Sequence, residues 1–116
     1  MTIRLEHTLS RKNLQSNLDY KSALSQRQEV STFGYNGDGT SDDDWVIECT
    51  TDEPVYTDVT IHLKHKNTGS YLAAETKDYV FNDNNCRGFC PIKGDREVHG
   101  SRNKKNGSFQ IKGVCI

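Results

Sequence analysis

The stretches "RQEVSTFG" (residues 27–34) and "DREVHGS" (residues 95–101) decide the expected fold of this chain. Both place Glu-Val behind a polar side chain and shortly before a glycine, as Glu29-Val30 and Glu97-Val98. An active site rarely needs duplicated parts, whereas a fold built from repeated units does. The duplicated Glu-Val motif therefore indicates an internal structural repeat.

The similarity extends outward from both copies of the motif. Residues 3–9, "IRLEHTL", and 59–65, "VTIHLKH", alternate apolar and polar side chains, as strands with one buried face do. The openings match at an offset of 58: Ile3 with Ile61, Leu5 with Leu63, His7 with His65 and Leu14 with Leu72. The offset is 68 at the Glu-Val motif and 64 where Trp45 matches Phe109. These matches predict two repeat units, residues 1–52 and 58–116, the second with an insertion at 76–94.

The two units favour an all-β fold. Each unit contains four short strands, and no segment shows a clean helical stripe. Such units build propellers or trefoils, and a propeller needs about four or more copies, so we predict a β-trefoil with two of its three units present. The third unit is expected to precede Met1 in a longer precursor, or to come from a second chain. Matching inward positions are predicted to be mostly buried: Leu5, Leu14, Val30, Trp45, Ile47, Leu63, Leu72, Val98, Phe109 and Ile111.

Composition and charge exclude some classes of partner. The 116 residues suit one domain, and 15 basic residues against 16 acidic ones leave a net charge of −1. That balance provides no excess of positive charge for binding nucleic acid or an anionic membrane. No stretch approaches the roughly 20 apolar residues of a membrane span. No signal peptide or retention tail is visible, which is uninformative for a piece of a longer precursor.

The chain has four cysteines, Cys49, Cys86, Cys90 and Cys115, which allow three complete disulfide pairings. Cys86 and Cys90 enclose Arg-Gly-Phe, and this spacing suits a metal knuckle, a redox pair or a structural disulfide. Zinc sites usually need a second ligand pair, which is missing. We therefore expect Cys86 and Cys90 to form a disulfide or to stay free on the surface, without zinc. Cys49 and Cys115 could remain buried thiols.

The charged and histidine-containing motifs favour structural roles over catalysis. Glu29 and Glu97 are expected to accept hydrogen bonds from backbone amides, because repeat-related glutamates would lie in separate units rather than form an acid/base pair. For the same reason His7 and His65 are predicted to be hydrogen-bonded structural residues, and His62 to face solvent. No nucleophile–base set is legible, so no catalytic, cofactor-binding or metal-binding residue is predicted.

Two polar stretches indicate turns. The run "NGDGTSDDD" (residues 36–44) does not match the EF-hand ligand spacing, so a solvated turn is predicted there. Asn106-Gly107-Ser108 combines a glycosylation sequon, with Asn106 as the candidate site, and an Asn-Gly hairpin turn.

Several of these stretches resemble the MIR domain: "IRLEHTLSRKNLQS", "RQEVSTFG", "DDDWVIEC", "IHLKHKNTGSYL" and "DREVHGS". That domain is shared by protein O-mannosyltransferases, inositol trisphosphate receptors, ryanodine receptors and the stromal cell-derived factor 2 family. The acidic, glycine-rich loop leading to Asp-Asp-Trp (residues 37–45) and Glu-Val-His-Gly (residues 97–100) are most similar to stromal cell-derived factor 2. By this resemblance the chain holds the second and third MIR units and lacks the first.

The resemblance implies a non-catalytic β-trefoil without cofactors, located in the endoplasmic reticulum lumen or secreted. It implies a role in protein quality control, with a J-domain cochaperone, a BiP-type chaperone and glycan-bearing, O-mannosylated clients as partners. The alternatives are a lumenal regulatory MIR domain of a protein O-mannosyltransferase and a ligand-domain segment of an intracellular calcium channel. The chain departs from the family at 14–17 and 72–75, where many members read Leu-His-Ser-His and both histidines are absent here.

The insertion at 76–94 is the candidate partner-binding loop. It carries Tyr79, Phe81 and Phe89 in an otherwise polar stretch. Clustered aromatics on a loop are candidate interface anchors. The alternative is that these rings fold back and cover the end of the barrel.

Overall fold

A computed structural model describes residues 1–49, 59–86 and 88–111. Within these residues the fold consists of short strands. They are β1 (Thr2–Ile3), β2 (Glu6–His7), β3 (Lys12–Lys21), β4 (Gln28–Phe33), β5 (Trp45–Cys49), β6 (Val59–His65), β7 (Tyr71–Ala74), β8 (Val98–Ser101) and β9 (Phe109–Ile111). The described helices are two 3-10 turns, Ser41–Asp43 and Lys104–Gly107. None of the helices in these parts of the chain is long and apolar enough to cross a membrane.

All strand pairs are antiparallel and form a curled sheet in the order β1-β5-β6-β7-β8-β4-β3-β2, with β9 added to β6. The pairing register repeats with the offsets read from the sequence. Each of three pairs in the first unit has its counterpart in the second. The Glu6–Asn13 pair corresponds to Lys64–Tyr71, the Ile3–Trp45 pair to Ile61–Phe109, and the Ser16–Val30 pair to Ala74–Val98. The internal repeat is therefore present in the backbone pairing. The exact bounds of the two units stay predictions, since 50–58 and 112–116 lie outside the described residues.

Two strand pairs join the halves of the chain. At the first joint β5 pairs with β6, and Trp45 lies opposite His65. At the second joint β4 pairs with β8, and Glu29 lies opposite His99. The two copies of the Glu-Val motif are therefore neighbours in space.

Trp45, Ile61 and Leu63 form the fully buried apolar centre. The Trp45 indole N–H donates to the carbonyl of Leu14 at 3.0 Å, so the ring is fixed as well as buried. Predicted core residues that are partly buried around this centre are Leu14, Val30, Ile47, Leu72 and Phe109. The burial predicted for Trp45 and Leu63 is confirmed.

Three predicted core residues are exposed instead: Leu5 and Val98 at 44% and Ile111 at 51%. Leu5 lies between β1 and β2, outside the paired strand segments. Val98 begins β8, where burial starts at the next residue. Ile111 is the last described residue of β9. Alternation identified the strands, but exposure depends on which faces are covered by other elements.

Much of the buried interior is polar, which corrects the prediction for His62 and adds a buried aspartate to the acidic run. His62 is buried rather than solvent-facing, and its Nδ1 donates to the carbonyl of Gly107 at 3.0 Å. In the acidic run, Asp43 is buried and accepts a hydrogen bond from the Asn13 amide at 3.0 Å. Most of residues 36–44 are exposed, as predicted, but Thr40 and Asp43 form a capping box on the first 3-10 turn, so the run ends in an ordered cap.

The Asn-Gly sequence does not form a hairpin. Asn106 and Gly107 belong to the second 3-10 turn, which follows β8 and precedes β9. Strand β8 pairs with β7 and β4, whereas β9 pairs with β6, so the strands on either side of Asn106 are not partners.

Candidate functional site

A buried cluster of charged groups lies at the joint between β4 and β8. His99 is 0% exposed, and its Nδ1 donates to Glu97 Oε1 at 3.1 Å. Its Nε2 lies 3.6 Å from Glu75 Oε1 and has no hydrogen-bond partner among the described residues.

Glu97 connects this cluster to the other half of the chain. Its carboxylate accepts hydrogen bonds from the backbone amides of Leu24, at 2.6 Å, and Ser25, at 3.2 Å. The Ser25 hydroxyl also donates to it. Burial raises the pKa of Glu97, but the hydrogen bonds from Ser25, Leu24 and His99 outweigh that effect and hold the pKa below its ordinary value. Glu97 thus accepts backbone amide bonds in a turn, as predicted.

The matching residue Glu29 does not repeat this role. No backbone amide of residues 1–49, 59–86 or 88–111 donates to its carboxylate, whereas its backbone carbonyl accepts a hydrogen bond from Ser16. The difference arises because Glu97 faces the turn at 22–27 of the first unit. The expectation for Glu29 was therefore wrong.

Glu75 forms the outer side of the cluster. It pairs with Arg27 at 2.5 Å and accepts from the Asn106 amide at 3.2 Å. Tyr79 packs edge-on against His99 with ring centroids 5.8 Å apart. The Arg27 guanidinium lies 5.7 Å from the centre of the same ring. These contacts anchor the start of the insertion at 76–94 to both halves of the chain.

The chemistry of the cluster is that of a structural joint. Ser25 donates to Glu97 and not to His99, so a serine–histidine nucleophile pair is not formed. His99 is closed off from solvent. Nor do the described residues contain a group of three or more His, Cys, Asp or Glu side chains arranged to hold a metal ion.

The insertion is braced at several points. Phe81 exchanges backbone hydrogen bonds with Gly94 and Asp95, each at 2.9 Å. Cys86 and Cys90 are joined as a disulfide with their Cα atoms 5.3 Å apart. Asp83 accepts a hydrogen bond from the Cys90 amide at 3.2 Å. The described residues of the loop, 81–86 and 88–95, are therefore held together by bonds within the insertion.

The three aromatic residues of the insertion are placed differently. Tyr79 and Phe81 are half-buried and pack back onto the body, whereas Phe89 is 92% exposed. Phe81, Ile92 and Val98 line a depression of about 370 Å³ beside the loop. The same depression is also lined by charged residues, among them Asp95 and Arg96. An exposed ring on a loop whose Ile92 lines such a depression is a surface on which another protein could bind.

The remaining candidate residues lie apart from this surface. Asn106 is half-buried in the second 3-10 turn, and its amide nitrogen, to which a glycan would be attached, donates to Glu75. Cys49 is an exposed free cysteine, which corrects the expectation of a buried thiol. Cys115 lies outside the described residues. His7 is exposed and hydrogen-bonded to Ser10, while His65 is buried and bonded to Thr68, the matching position.

Sequence reasoning missed most members of the charged cluster. Arg27 is 48 residues from its partner Glu75, and Ser25 is 72 residues from its partner Glu97, so no local pattern pairs them. The available signal was Glu97-Val98-His99 itself, since a buried strand with adjacent acidic and histidine side chains needs partners.

Comparison with known proteins gives stromal cell-derived factor 2 or 2-like proteins and a protein mannosyltransferase of Saccharomyces cerevisiae as relatives. No family model matches the chain. Stromal cell-derived factor 2-like protein 1 of Homo sapiens is 32% identical over 116 residues, covering 98% of this chain and 48% of the relative. The chain thus spans about half the length of the curated relatives that it matches.

Solved structures agree with the sequence relatives. The crystal structure of a stromal cell-derived factor 2-like protein from Arabidopsis thaliana superposes with a TM-score of 0.77 at 30% identity, covering 99% of this chain and 60% of that one. The Saccharomyces cerevisiae protein O-mannosyltransferase Pmt1–Pmt2 complex, bound to the sugar donor, superposes with a TM-score of 0.73 at 25% identity. The match covers 97% of this chain and 16% of the mannosyltransferase chain. These neighbours confirm the predicted all-β, trefoil-like fold. The chain therefore belongs to the stromal cell-derived factor 2-like family of MIR-domain proteins.

Proposed function

We propose that this chain acts by binding proteins, as a non-catalytic module of protein quality control in the endoplasmic reticulum lumen. Its partners in this proposal are a J-domain cochaperone and a BiP-type chaperone, with glycan-bearing clients reaching it through that complex. The similarity to stromal cell-derived factor 2-like proteins supports this proposal.

The exposed tip of the insertion is the observation that carries the proposal. Phe89 is 92% exposed and Ile92 is 42% exposed, on a loop held by the disulfide and by the packing of Tyr79. A large apolar side chain that is held in place but left in water costs free energy that a partner's apolar surface recovers. Because the loop is already ordered, little further conformational entropy is lost on binding.

The proposal places the interface at Phe89, Ile92 and the neighbouring depression. Val98, which was expected in the core, lines that depression and adds to the apolar surface. Hot spots of protein interfaces are typically such aromatic and aliphatic anchors surrounded by polar side chains. Lys93 and Asp83, an exposed ion pair at 3.1 Å, supply part of that polar surround.

The test measures binding of the chain to the purified J-domain cochaperone with BiP by biolayer interferometry. The double variant Phe89→Ser/Ile92→Ser is expected to weaken binding at least about tenfold, the effect of losing one hot-spot residue. Phe33→Ser is the matched control, since Phe33 is also an exposed ring, at 68%, on a different part of the sheet. Absence of binding by the unaltered chain would refute the function. An unchanged affinity of the double variant would refute the proposed interface alone.

A second candidate is a regulatory MIR domain of a protein O-mannosyltransferase. The structural match to the Pmt1–Pmt2 complex supports it. The full open reading frame separates the two candidates, because a mannosyltransferase would add long hydrophobic spans.

A further inference from the structure

A second depression lies next to the charged cluster and shares Arg27 with it. It has a volume of about 460 Å³ and is bounded by the end of β3, the start of β4 and the turn after β8. Lys21, Arg27 and Arg102 line it together with the neutral residues Gln28, Ser70 and Gly100. Its volume is within the range of small-molecule sites.

The charge of this depression is unlike that of the whole chain. Three cationic side chains and no carboxylate line it, although the chain as a whole has a net charge of −1. Arg27 is neutralised by Glu75. Lys21 and Arg102 make no ion pair with any carboxylate in residues 1–49, 59–86 and 88–111. Two cations without an ion-pair partner among the described residues therefore line one concave surface, where the potential is focused.

The floor of the depression is fixed and neutral. Gln28 donates to Ser16 at 2.7 Å and to Thr68 at 2.9 Å, and it accepts from Ser70 at 2.9 Å. Gly100 packs closely on Gln28, since a Cβ there would lie 3.1 Å from the Gln28 side chain. The floor's amide and hydroxyl groups are thus engaged with one another, and the cations are the groups left to bind a ligand.

We propose that this depression binds a small, soluble phosphorylated molecule, with Arg102 and Lys21 holding the phosphate group. A guanidinium matches two phosphate oxygens at once, and an ammonium adds a point charge beside them. Arg27 contributes to the positive potential but stays bound to Glu75. The site is separate from the Phe89 surface and does not depend on the proposed protein partners.

The test uses the chain at constant ionic strength: potassium chloride is exchanged for the two phosphates, and the uncharged glucose is added at fixed potassium chloride. Inorganic phosphate, glucose 6-phosphate and glucose are titrated while the backbone amide resonances of Gly100 and Ser101 are followed. Both phosphates are expected to shift these resonances saturably, and glucose is not. Tighter binding of glucose 6-phosphate than of inorganic phosphate would identify a phosphorylated organic ligand rather than the free ion.

Variants locate the site. Lys21→Gln and Arg102→Gln are each expected to weaken phosphate binding about tenfold, the loss of one charge-assisted hydrogen bond. Both residues are exposed, so the fold is retained. Lys12→Gln is the control, because Lys12 lies at the other end of the same strand and the charge change is identical. The proposal would be overturned if the Lys21→Gln/Arg102→Gln double variant bound phosphate as tightly as the Lys12→Gln control. It would also be overturned if chloride alone shifted the Gly100 and Ser101 resonances as much as phosphate does.

Discussion

The two joints between the halves of the chain use different chemistry. At the β5–β6 joint, Trp45 and His65 pack edge to face with ring centroids 4.9 Å apart, and His65 Nε2 donates to the carbonyl of Asp42 at 2.7 Å. At the β4–β8 joint, the carboxylate of Glu97 accepts hydrogen bonds from Leu24, Ser25 and His99. One joint thus depends on apolar burial with neutral hydrogen bonds, and the other on a buried charge. The first should be the stronger, and the second should respond to pH.

Removing the indole tests the apolar joint and has the largest expected effect. Trp45→Ala should lower the free energy of unfolding by about 3–5 kcal/mol, because it leaves a cavity in the centre of the core. Urea denaturation followed by circular dichroism measures the change. Phe33→Ala is the control and should alter stability by no more than about 0.5 kcal/mol. A loss below about 1 kcal/mol for Trp45→Ala would show that the ring is not central to the core.

The two matching histidines sharpen the comparison, because they differ only in their surroundings. His65→Ala should cost about 2–3 kcal/mol, since it removes two hydrogen bonds and leaves the Asp42 carbonyl without its partner. His7→Ala should change stability by about 0.5 kcal/mol or less, because His7 is exposed. Equal costs in urea denaturation would mean that the repeat positions are equivalent in packing as well as in sequence.

The charged joint predicts a smaller cost that depends on pH. Glu97→Gln should lower the free energy of unfolding by about 1–2 kcal/mol at pH 7, because a neutral acceptor replaces a charged one. The pKa of Glu97 is lowered in the folded state from its ordinary 4.5. Its contribution is therefore complete above that value and is lost as the pH falls through the folded-state pKa.

Urea denaturation of both proteins at pH 7, 5 and 3 measures this dependence. The difference in free energy of unfolding between wild type and Glu97→Gln should shrink on acidification. The corresponding difference between wild type and Trp45→Ala should change much less. A Glu97→Gln deficit that stays constant down to pH 3 would contradict a buried carboxylate at this joint.

Sequence patterns predicted the fold well because a repeat constrains backbone pairing. The offsets of 58, 64 and 68 matched the strand registers, since two similar units form similar hydrogen-bonded pairs. Side-chain environments were harder to predict. His62 is buried because the Gly107 carbonyl of a later turn meets it, and Glu97 bonds to Leu24, 73 residues away. Local alternation contains no information about such distant partners.

The insertion illustrates the same limit within a single loop, and it carries the prediction with the smallest effect on stability. Because they are aromatic, Tyr79, Phe81 and Phe89 were all predicted as candidate partner-binding residues. In the structure Tyr79 packs on His99, whereas Phe89 is 92% exposed. Phe89→Ser should therefore change the free energy of unfolding by about 0.5 kcal/mol or less. Tyr79→Ser should cost more, because it uncovers the charged cluster. Urea denaturation at pH 7 measures both variants. If Phe89→Ser destabilises the chain as much as Tyr79→Ser does, the tip of the loop covers the body of the protein, and the binding surface has to be sought elsewhere.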